Sequence, residues 1–176
     1  MGGRLKAMIS LFRFPNPVNE VAARAVAAGV LAMSLVTLVL SAALDSGWLW
    51  LGAVLAYGFV ARVATGPTLS PLGQLATRVA APRIGPAKPV PGPPKRFAQG
   101  MGAVMSVAVV VAHFGFGADG LALVLLGLIS VAATLESVFA FCIGCTIFAG
   151  LMRIGVIPAS ACEACADVSL RVPTVA

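Results

Sequence analysis

Four cysteines stand in the last 35 residues of this 176-residue chain, as Cys142-Ile143-Gly144-Cys145 and Cys162-Glu163-Ala164-Cys165. Two C-x2-C pairs separated by 16 residues carry three chemistries. Four thiolates at this spacing suit a tetrahedral zinc site or an iron–sulfur cluster, with Cys142, Cys145, Cys162 and Cys165 as ligands. Against metal, the segment between the pairs is apolar (Ile147, Phe148, Leu151, Met152, Ile154) and lacks the turn residues of a zinc ribbon. Alternatively, the same four residues form two dithiols for thiol–disulfide or sulfur exchange. Ser160-x-x-Glu163 reads as a capping box, placing Cys162 in the first turn of a helix, where the dipole favours its thiolate, with Cys165 as resolving partner. Cys142 reads as the C-terminal end of an apolar helix, a setting that raises a thiol's pKa. The third reading is packing, or an acyl anchor at a membrane surface, since buried cysteine behaves as a small hydrophobe.

The elements that position these thiols are apolar. Hydrophobic residues make up 60% of the chain and charged ones 10%, against about 25% charged in soluble domains. Four stretches, residues 21–44, 48–65, 97–116 and 121–141, are long enough to cross a hydrocarbon core of about 30 Å. The expected fold is an all-α, integral membrane four-helix bundle built from two transmembrane hairpins. The first apolar run is too long for the core of a cleaved signal peptide, and three more spans follow. Residues 1–20 precede the first hairpin (21–65). Residues 66–96 hold 8 of the 12 prolines and read as a loop, with Ser70-Pro71 starting a short helix that Pro82 stops. The second hairpin covers 97–141, and 142–176 form an interfacial segment and cysteine tail, with a bend expected at Gly144 and Gly150.

Lys and Arg outnumber Asp and Glu by 12 to 6, and none falls in either hairpin turn, where Asp45 and Asp119 are the only charges. The positive-inside rule therefore predicts both termini, the proline-rich loop and the cysteines on the cytoplasmic side. The charge excess is an orientation signal and a means of touching anionic headgroups, not a nucleic-acid interface. At depth, Arg62 lies 14 residues from Trp48 and Glu136 15 residues from Leu121, about 21 and 22 Å along their helices, so an intramembrane Arg62–Glu136 ion pair is expected. Arg24, one turn beyond Glu20, is expected to pair with it.

Several segments are distinctive together: Phe14-Pro15-Asn16-Pro17-Val18-Asn19-Glu20, Ala61-Arg62-Val63-Ala64-Thr65-Gly66-Pro67, Ser70-Pro71-Leu72-Gly73, Gly92-Pro93-Pro94-Lys95-Arg96-Phe97-Ala98-Gln99-Gly100 and Phe141-Cys142-Ile143-Gly144-Cys145. With the C-terminal pair they resemble the domain-of-unknown-function 4395 family over residues 12–165. The resemblance implies a small four-span protein of the bacterial inner membrane, and thiol or sulfur chemistry with a soluble thioredoxin-like or rhodanese-like (sulfurtransferase) partner. It also implies that these segments converge on one face. Arg24, Arg62, Lys95 and Arg96 would then join the dithiols in a basic site for a small anion such as a sulfur oxyanion or persulfide donor. A non-catalytic scaffold tied by a four-cysteine metal site and a small sulfur-anion transporter using Arg62 and Glu136 are the alternatives.

Overall fold

The computed structural model describes residues 14–166. Its frame is four apolar helical segments of spanning length: α1 (Glu20–Ala43), a segment Ser46–Thr65 whose last part is α2 (Leu51–Thr65), a segment Gly92–Gly115 that begins as α5 (Gly92–Val110), and α6 (Asp119–Phe139). Each is rich in Ala and Val, and none has an interior proline. Asn19 caps α1 by accepting the Val21 N–H at 3.0 Å. Asp45 takes the same role for the turn Ser46–Trp50, accepting from Gly47 N at 2.7 Å.

α1 packs most extensively on α6, and α2 on α5. The shared core holds Val26, Val30, Leu55, Phe59, Val109, Leu126 and Ile129. Small hydroxyls are buried with them: Ser130 shares its one hydroxyl proton between Ser34 Oγ at 2.8 Å, across α1 and α6, and the Leu126 carbonyl at 2.9 Å. Large aliphatic side chains such as Val36, Val39, Val104, Val124 and Val131 face outward, the inverse of a water-soluble bundle. Such a surface suits lipid, which hydrogen-bonds no backbone and thus favours helices.

The connection between the second and third long segments is more ordered than a loop. Ser70 caps α3 (Pro71–Leu75) by accepting from Gly73 N at 3.2 Å, as the Ser-Pro pair predicts. The helix does not stop at Pro82. It passes through a π turn (Ala76–Ala80) into α4 (Ala81–Ile84), because Pro82 sits at the start of α4, where its missing N–H costs little. A two-residue antiparallel bridge then pairs β1 (Val18–Asn19) with β2 (Pro89–Val90), and Glu20 N donates to the Lys88 carbonyl at 2.8 Å. Gly66 and Gly92 hold the chain close to Pro15: a Cβ on either would lie 2.6 Å from a Pro15 atom, and Gly66 has φ +63°. The segment ahead of α1, the end of α2 and the start of α5 therefore meet at one end of the bundle.

Two expected boundaries differ. The third long helix starts at Gly92, five residues before the apolar run, since Pro93 and Pro94 occupy its first turn and need no N–H partner there. Lys95 and Arg96 thus lie on a helix rather than in a loop. The fourth ends at Phe139, before the cysteines: Ala140 turns left-handed (φ 55°) and α7 (Ile143–Arg153) begins anew. The bend is not at Gly144 or Gly150, both of which lie inside α7.

Candidate functional site

The break after α6 decides the chemistry of the first thiol pair. Cys142 is the N-cap of α7, and its Sγ accepts the Cys145 N–H at 3.3 Å. It therefore stands at the positive end of an eleven-residue helix, not at the negative end expected from the unbroken apolar run. Cys142 is buried, and Cys145 is half-buried. The Cys142 thiol is held below the usual thiol range, chiefly by the side-chain hydrogen bond from Cys145, with the Lys95 ammonium helping against burial and the Glu136 charge. Cys145 is pushed the other way by donating that bond, and burial adds to it.

Cys162 and Cys165 are joined as a disulfide, with Cα atoms 5.2 Å apart. A short 3-10 turn (Ala159–Ala161) precedes them, and α8 (Glu163–Ala166) begins after Cys162, so Cys162 stands just outside the helix instead of in its first turn. The Cys165 N–H donates to the Cys162 carbonyl at 2.9 Å. Cys162 is buried, whereas half-buried Cys165 lines an open cavity of about 380 Å³. Cys142, Cys145, Lys95 and Glu20 line the same cavity. Both C-x2-C motifs are therefore brought to one place, one as a dithiol and one as a disulfide.

That arrangement does not suit the four-cysteine metal reading. Two of the sulfurs are bonded to each other, and among the described residues no three His, Cys, Asp or Glu side chains gather as a ligand set. Zinc or an iron–sulfur cluster would need four thiolates converging on a point.

The ion pair at depth has different partners from those expected. Glu136 accepts from Lys95 Nζ at 2.8 Å, not from Arg62. Arg62 instead donates from Nε to Gln99 at 2.9 Å and from Nη1 to Ser70 at 3.1 Å, and it stacks on the Phe59 ring with Cζ 4.6 Å from the centroid. The physical reason is the earlier start of α5, which brings Lys95 to α6 and puts Gln99, one turn on, against α2. Gly92-Pro93-Pro94 was the signal that could have found both residues. Arg24 does not pair with Glu20 either. It reaches the end of α6, donating from Nε and Nη2 to the Ser137 carbonyl at 3.2 and 2.9 Å and from Nη2 to Val138 at 3.3 Å. Arg96 donates to the Val63 carbonyl at 3.1 Å and stacks over Phe14. The four cations therefore do not form one basic site: Arg24 and Arg96 tie helix ends, and only Lys95 borders the thiol cavity. At the opposite end, Asp119 faces His113 at 2.6 Å.

Four apolar helices of spanning length packed on one core define an all-α membrane-type bundle. The chain belongs to the DUF4395 family, described as a domain of unknown function, whose model matches residues 18–153. Cys142, Cys145, Arg62, Lys95 and Glu136 lie inside the match, while Cys162 and Cys165 lie beyond it, so the resemblance is shorter than the 12–165 expected from the motifs. No curated protein and no solved structure matches the chain.

Proposed function

We propose that this is a membrane protein whose two C-x2-C pairs exchange disulfides with each other and with a soluble thioredoxin-like protein on the cytoplasmic side. One observation carries the reading: both thiols of the reduced pair and Cys165 of the oxidised pair line the same cavity. The Cys142 thiolate attacks Cys165 Sγ. The Cys162–Cys165 bond breaks and Cys162 leaves as a thiolate, which takes the proton of Cys145. Cys145 then attacks Cys142 Sγ and releases the Cys165 thiolate. Two electrons have passed from Cys142/Cys145 to Cys162/Cys165, and the number of bound protons is unchanged.

The cytoplasmic placement rests on Arg78, Arg83, Lys88 and Arg153 following or preceding helix ends on the thiol side, with Asp45 and Asp119 at the other turns. Cytosolic disulfides are transient and catalytic in most cases, which agrees with a disulfide in a short tail beside a dithiol. A sulfur-carrying rhodanese-like partner would use the same cysteines, but the paired disulfide favours dithiol exchange.

The test is trapping. A thioredoxin lacking its resolving cysteine, added to inside-out membrane vesicles, is expected to form a mixed disulfide with this protein that disappears when both Cys162 and Cys165 are changed to Ser. An adduct formed only with right-side-out vesicles refutes the orientation. Absence of any adduct, while Cys165 still alkylates after reduction, refutes the exchange.

A further inference from the structure

A cation in a low-dielectric interior needs a counter-charge or a full set of acceptors. Arg62 has neither. It is 5% exposed, and both of its side-chain acceptors, Gln99 and Ser70, are neutral. Its third nitrogen, Nη2, is buried and has no hydrogen-bond partner among the described residues. The nearby acid, Glu136, is already bound to Lys95. Lys95 is thus paired with a carboxylate, whereas Arg62 has no carboxylate partner among the described residues and leaves one nitrogen's donors unused.

Beside it lies a cavity of about 260 Å³, separate from the thiol cavity and lined by Arg62, Lys95 and Gln99 on its polar side and mainly by apolar residues such as Phe14, Pro15 and Val26 elsewhere. Apolar walls with a few convergent polar groups describe a small-molecule site. The ammonium of Lys95 has three N–H donors and spends one on Glu136, so it can add to the same ligand.

We propose that this cavity binds an amphiphilic monoanion, with a carboxylate head at the Arg62 guanidinium and Lys95 and an aliphatic body against Phe14, Pro15 and Val26. A single negative charge suits the one cation of the lining that has no carboxylate partner. A carboxylate suits the planar guanidinium and supplies oxygens to both cations. The apolar walls select against a free inorganic ion, which would surrender its hydration to groups that cannot replace it. The site does not depend on the thiol chemistry, although Lys95 borders both cavities.

The experiment is a calorimetric titration of the full chain in nanodiscs of zwitterionic phosphatidylcholine, with hexanoate as probe and empty nanodiscs as blank. Saturable hexanoate binding is expected, with hexanol weaker by roughly tenfold or more, the scale of a lost hydrogen bond to a charged group, and acetate weaker by roughly tenfold or more through the loss of about four buried methylenes. Arg62→Gln should weaken hexanoate by a similar factor. That variant also loses the tie to Ser70, so a second, Ala23→Phe, fills the cavity while leaving every charge in place, and it should abolish binding as well. The proposal is overturned by hexanol binding as well as hexanoate, by hexanoate binding unchanged in Ala23→Phe, or by no saturable binding at all. It is equally overturned if chloride displaces hexanoate at matched concentration, which would mean a small-ion site, or if phosphatidylglycerol in the nanodisc does so, which would mean a lipid headgroup site.

Discussion

Replacing Gly144 by Ala tests whether the placement of the thiols depends on the seat of α7. Gly144 stands between the two cysteines, and a Cβ there would lie 2.6 Å from the Cα and Cβ of Ala98 on α5, whereas ordinary contact begins at 3.4 Å. Ala98 meets the new methyl with backbone, which cannot rotate away. The N-terminal turn of α7 must therefore retreat by about 1 Å, and overpacking of this kind costs about 1–3 kcal/mol. The same displacement carries Cys142 away from Lys95, Glu136 and the buried setting they share. Gly150, on the same helix, is the control: nothing lies within 4 Å of its Cβ position, so Gly150→Ala should be neutral or, from helix propensity, stabilising by up to about 1 kcal/mol. The assay is thermal unfolding in detergent together with the pH profile of iodoacetamide alkylation at Cys142, resolved by peptide mapping. Gly144→Ala should lower the unfolding temperature and move the alkylation midpoint of Cys142, and Gly150→Ala should do neither. If the two variants behave alike, Gly144 does not seat the dithiol and the account of the local geometry is wrong.

Other predictions follow from the same geometry. In the native protein the Cys142 alkylation midpoint lies below that of an ordinary thiol, near 8.5, while Cys145 stays unreactive at neutral pH. Because Cys145 is the main cause, Cys145→Ala should move the Cys142 midpoint upward, and an unmoved midpoint would assign the effect to the helix terminus alone. A double-mutant cycle on Lys95→Met and Glu136→Gln should give a coupling of about 1–3 kcal/mol, whereas Arg62→Met with Glu136→Gln should be close to additive. Arg24→Ala leaves the Ser137 and Val138 carbonyls without their side-chain donor and should destabilise by about 1–3 kcal/mol, measured by the loss of helical signal on heating.

The long helices were legible because lipid demands unbroken apolar runs, and the Ser70-Pro71 cap because its chemistry is local. The end of α6 was not. Phe139-Ala140-Phe141 contains neither Gly nor Pro, and the turn is held instead by Phe141 N donating to the Leu135 carbonyl at 2.9 Å and by Arg24, 113 residues away in sequence, on the Ser137 carbonyl. No window along the chain contains that interaction. Equal depth suggested Arg62 for Glu136, but depth fixes only one coordinate, and the helix that faces Glu136 at that level is α5, which presents Lys95. The cysteine spacing announced a site, yet the thiol at a helix N-terminus is Cys142, because the chain breaks after α6 and α7 starts anew.

Disulfide mapping of the Cys145→Ala variant bears most directly on exchange between the two pairs. Without Cys145 to resolve it, a bond between Cys142 and Cys165 should persist, recovered after acid quenching and non-reducing digestion as one cross-linked peptide, with Cys162 newly alkylated. Recovery of Cys162–Cys165 alone, with Cys142 fully alkylated after denaturation, would contradict it.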